Sequence, residues 1–69
     1  MSFYVTPSFT VIDTEGSFSH LPPEKRLDLL YNARDIWENN NGQWKGSSPL
    51  PKVVKGKIDP EATYGIVTP

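Results

Sequence analysis

The sequence predicts a small α+β domain, on three observations. Residues 3–12 alternate in the two-residue rhythm of a strand, and residues 23–39 repeat apolar side chains at helical spacing. From residue 42 onward the helical rhythm gives way to Gly, Ser, Pro and short apolar pairs. Sixty-nine residues make one domain at most. Its expected parts are an N-terminal strand or hairpin over 1–21, one central amphipathic helix over 22–41, and a C-terminal extended arm or short hairpin over 42–69.

In the first part, Phe3, Val5, Phe9 and Val11 share one face with Pro7, and Tyr4, Thr6, Ser8, Thr10 and Ile12 take the other. Proline brings no amide hydrogen to a sheet ladder, so Pro7 makes this segment an edge strand or splits it into two short pieces. Asp13-Thr14-Glu15-Gly16 reads as a type I turn, with Asp leading and Gly closing. Ser17-Phe18-Ser19-His20 offers a brief return strand that would form a hairpin with residues 9–12.

Leu21-Pro22-Pro23-Glu24 opens the helix, because a proline at the first helical position has no hydrogen bond to lose and Glu24 sits at the positive end of the helix dipole. Leu29, Ile36, Ala33, Trp37, Leu30, Leu27 and Tyr31 sweep about 220° of its circumference, against a little over 100° for a helix on a single core. The expected core seam is Leu27, Leu30, Ala33 and Trp37. Leu29 and Ile36 are then left for a second contact, with the C-terminal arm or with a partner. Arg26 and Arg34 project from within the apolar arc, where their long stems can cover apolar surface. Asn39-Asn40-Asn41-Gly42 ends the helix, since Asn and Gly accept the left-handed conformation of a closing turn.

Residues 46–51 read as a loop, with Pro49-Leu50-Pro51 in polyproline II. Residues 52–58 suggest a strand weakened by Gly56, Asp59-Pro60-Glu61 a turn, and residues 62–67 a short strand with Tyr64 and Ile66 on one face.

Composition narrows the function. A chain this short buries roughly 60% of its unfolded surface, so small domains lean on disulfides, metals or partners. There is no Cys and one His, which leaves a partner or self-association. The net charge of −1 disfavours a dedicated nucleic-acid binder. Charge is unevenly placed: residues 1–44 carry six acids against three bases, and residues 45–69 carry Lys45, Lys52, Lys55 and Lys57 against Asp59 and Glu61. This lysine arm is suited to the acidic helix face or to an acidic partner. No apolar run approaches the ~20 residues of a membrane span, and residues 1–5 lack the features of a signal peptide. The expected location is cytoplasmic.

Catalytic and cofactor signals are missing. His20 has no Cys or clustered carboxylate to work with, and Asp28, Asp35 and Glu38 read as a solvated helix face. The glycines fit neither a dinucleotide fingerprint nor a P-loop. The candidate partner-binding residues are therefore Trp44, Leu29, Ile36, Phe3, Lys45, Lys52, Lys55 and Lys57. Trp44 either folds back over the core or serves as an exposed anchor, and Phe3, Val5 and Phe9 mark an edge open to strand addition. The expected function is a non-enzymatic protein-binding role as an inhibitor, adaptor or accessory subunit of a larger assembly, with no cofactor. The alternatives are a nucleic-acid-binding module that uses Trp44 and the lysine arm, and a self-assembling structural component.

Overall fold

The computed structural model describes residues 2–40, 42 and 50–69. Among these, β1 (Phe3–Val5), β2 (Thr10–Asp13), β3 (Lys52–Lys55) and β4 (Gly65–Val67) form one mixed sheet, and α1 (Pro23–Asn39) lies across one of its faces. The strand order is β3-β2-β1-β4. β1 pairs antiparallel with β2 and with β4, and β2 pairs parallel with β3. The fold is thus small α+β, with the strand-forming N-terminus and central helix where the sequence puts them.

Pro7 splits the first segment in two. Thr6 N–H donates to Thr10 O (2.8 Å) and Phe9 N–H to Thr6 O (3.0 Å), which closes a three-residue hairpin loop with Pro7 leading its turn. The last loop position takes a left-handed backbone, and Phe9 occupies it with φ 62°. A bulky residue there is strained. Its ring packs on the Trp37 indole, centroids 4.5 Å apart, so the strain is held by a core contact.

Four expectations need correction. β1 is paired on both sides, so Phe3 and Val5 belong to a central strand and offer no edge. Residues 18–20 form a 3₁₀ turn rather than a return strand, because β2 already has partners in β1 and β3. β3 and β4 make no hairpin with each other; they sit at opposite edges of the sheet. The 3₁₀ turn of residues 60–62, where Asp59 caps the Glu61 N–H (3.1 Å), lies on the path between them.

The fourth correction concerns the helix seam. Leu29, Ala33 and Trp37 are buried, Leu30 and Ile36 pack partly against them, and Leu27 stays 45% exposed. At ~100° per residue the buried set spans about 120°, an ordinary width. The excess of the wide arc falls on Leu27 and Tyr31, which face outward. Leu29 is the centre of the core, not a spare contact. Ile36 points toward Gly65, so the C-terminal strand covers that part of the helix. The lysines of β3 lie at the far sheet edge, and Glu38 of the helix instead meets Arg34 at 4.0 Å.

The helix ends without a left-handed Asn40, whose φ is −101°. Gly42 N–H donates to Trp37 O (3.0 Å), and a Cβ at Gly42 would collide with the Trp37 indole. Space against Trp37 is what requires glycine there.

Candidate functional site: the open face and outer edge of the sheet

Strand alternation gives each residue of the sheet one of two fates. Phe3, Val5, Val11, Asp13 and Val67 point to the helix side and are buried. Their neighbours point away from it. The register aligns Val54 with Ile12, Ile12 with Tyr4, and Tyr4 with Ile66. At about 4.8 Å between strands, these four make an apolar row about 14 Å long across all four strands. Its ends are the most open: Ile66 is 64% exposed and Val54 44%, while Tyr4 and Ile12 are half-buried between them. Nothing in local propensity demands Ile at an exposed edge position. Thr would serve the strand as well and cost less in water.

Among the described residues Asp13 is the buried ionisable group. It lies 3% exposed on the helix side, opposite Phe3 and Lys55 in register. Its carboxylate accepts from Phe18 N–H (2.8 Å), Glu15 N–H (3.2 Å) and the Ser17 hydroxyl (3.5 Å). Desolvation by burial pushes its pKa up, but the backbone N–H groups of Phe18, Ser17, Glu15 and Gly16 outweigh it, and the carboxyl sits below its ordinary value. This is a structural carboxylate: it ties the loop after β2 to the 3₁₀ turn that carries Phe18 against Phe3. Gly16 takes the left-handed φ of 69° that the loop needs, with the Lys55 aliphatic chain alongside.

The helix leaves a second, smaller apolar surface. Phe18, Pro23, Arg26, Leu27 and Leu30 line a shallow depression of about 320 Å³. Arg26 Nε donates to Leu21 O (3.1 Å), which holds its stem along the rim. Next to it, the Arg34 guanidinium lies 5.1 Å from the Tyr31 ring centre and shades part of the exposed arc.

The sequence-derived candidates fare differently. Phe3 (1% exposed) and Leu29 (0%) are consumed by the chain's own core and have no surface to give a partner. Ile36 is half-covered by the C-terminal strand. Lys52 and Lys55 are exposed on β3, and Lys57 is exposed just beyond it. Trp44 and Lys45 lie outside the described residues. Sequence reading missed the row. Ile12 and Tyr4 share the second face of the first strand, but no local signal joins them to Val54 or Ile66, and the expected sharing of one face by Tyr64 and Ile66 does not hold: Tyr64 packs against the core while Ile66 stays exposed.

Among the described residues, no group of three or more His, Cys, Asp and Glu is placed to hold a metal ion. No helix there is long and apolar enough to cross a membrane. The chain matches no protein-family model, no curated protein and no solved structure.

Proposed function

We propose that this is a small non-enzymatic protein-binding protein, an inhibitor, adaptor or accessory subunit, whose contact surface is the open face of the sheet. The observation that carries it is the register-aligned row Val54–Ile12–Tyr4–Ile66, apolar at every strand and most exposed at its ends. A two-layer fold with a helix on one side leaves such a face to water unless another chain covers it. The occupant that fits is an apolar surface on a second protein, since the row carries no ionised group and no hydrogen-bonding side chain but the Tyr4 hydroxyl. Among the described residues the helix side has no comparable surface to offer, because its apolar residues are spent on the core apart from Leu27 and Tyr31.

Capture from native extract with three immobilised chains tests the reading. The wild type and Leu27→Asp are expected to retain the same partner, and Ile66→Asp to lose it while keeping the wild-type melting midpoint. Retention by Ile66→Asp, or loss by Leu27→Asp alone, would move the contact off the open face and overturn the reading.

A further inference from the structure

We propose that the outer edge of β3 takes up an extended acidic segment of the partner as a fifth strand; this rests on the protein-binding reading above. Among the described residues β3 ends the strand order, so one side of its backbone has no neighbouring strand there. Which groups face that side follows from a hydrogen bond. Gly56 N–H donates to Asp13 O (3.2 Å), so Gly56 turns its backbone toward β2. Strand alternation turns Val54 the same way and leaves the N–H and C=O of Val53 and Lys55 pointing outward. An added strand would meet two donors and two acceptors there.

Charge selects what can pair. Lys52 and Lys55 bound the strand, Lys57 follows, and all three are exposed. A second copy of β3 added in parallel register would set lysine against lysine, and like charges directly opposite are destabilising. Edge lysines guard natural sheets against that self-pairing, and the same charges favour an acidic strand. Lys52 and Lys57 are the positions to vary, because Lys55 is the register partner of the buried Asp13. The neighbourhood of Lys55 also includes the Glu15–Gly16 loop.

The side chains specify the pattern further. On the open face Lys52 precedes Val54, the end of the apolar row; on the helix side Val53 packs partly against the core and Lys55 follows. Lys-Val-Val-Lys reads the same in both directions. Its complement, acid–apolar–apolar–acid, therefore suits parallel and antiparallel addition alike. The apolar residue opposite Val54 would lengthen the row, joining the edge to the open face as one surface.

The probes are two blocked peptides, one with a Glu-Val-Val-Glu core and one with a Lys-Val-Val-Lys core, added to the isotope-labelled full chain. The acidic peptide is expected to slow amide exchange at Val53 and Lys55, and to bind about tenfold more tightly than the basic one at low salt. Lys52→Glu/Lys57→Glu should reverse the preference, and Lys52→Gln/Lys57→Gln, a milder change, should abolish it. Equal binding of both peptides would overturn the proposal. So would shifts of lysine signals with no protection of the Val53 and Lys55 amides, which mark surface charge contact alone. Protection of those amides by a single-stranded oligonucleotide, rather than by the acidic peptide, would overturn it as well, as would self-pairing of the chain through β3. Partner capture that survives Lys52→Glu/Lys57→Glu but not Ile66→Asp would sink the edge proposal and leave the open-face reading standing.

Discussion

The two faces of the sheet are made of the same kinds of residue and meet opposite surroundings. On the helix side, Phe3, Val5, Val11 and Val67 are each at most 2% exposed, under Leu29, Ala33 and Trp37. On the open side, Tyr4, Ile12, Val54 and Ile66 stand in register, with Ile66 at 64%. Hydrophobicity alone does not distinguish the faces. What does is which one the β2–α1–β3 crossover covers, since the helix joining two parallel strands packs on a single side. Stability therefore belongs to one face, and the other is the face proposed above for a second chain.

The largest test of that division is on the helix. Leu29→Ala is expected to cost about 2–5 kcal/mol in urea unfolding, and Leu27→Ala no more than about 0.5 kcal/mol. Equal costs would mean that the buried seam is misplaced.

Asp13→Ala comes next, at about 1–3 kcal/mol, because it leaves the Phe18 and Glu15 amides without their acceptor. A folded pKa below the ordinary 3.8 stabilises the native state above that pH, and the contribution is lost as pH falls through the folded value. The acid limb of the wild-type stability curve should flatten in Asp13→Asn. An unchanged limb would show that the carboxylate's hydrogen bonds carry little linkage.

Phe9 separates backbone strain from packing. Phe9→Gly and Phe9→Ala both lose the ring on Trp37, but glycine accepts φ 62° without penalty. Phe9→Gly should be the more stable of the two by about 1 kcal/mol in thermal melts. The reverse order would place the loop in another conformation.

The smallest effect is expected on the open face. Ile66→Thr should shift stability by no more than about 0.5 kcal/mol in the isolated chain. A loss comparable to Leu29→Ala would show that the row is needed to hold this chain together, and the contrast between the faces would collapse.

Several local features were legible in the residues themselves. Pro23 and Glu24 open the helix and Asn39 closes it, where the order of the residues puts both ends. Pro7 breaks the first strand because a missing amide hydrogen and a fixed φ act within one residue. Asp13 bends the chain after β2 because its short carboxylate reaches the Glu15 amide, although its carbonyl accepts from Gly56 instead of closing the expected type I turn. Each of these depends on sterics and hydrogen bonds among near neighbours, so the sequence by itself determined them. The tertiary structure alone decided the rest. Whether Leu27 or Leu29 is buried depends on how the helix is rotated over the sheet, and both lie within one apolar arc. That β1 is central follows from β4 returning to pair beside it, a contact between the two ends of the chain. Gly42 is required by the position of the Trp37 indole, not by its own backbone. The apolar row exists because three separate pairings place four distant residues in one register, and register is a property of the assembled sheet that no single strand carries.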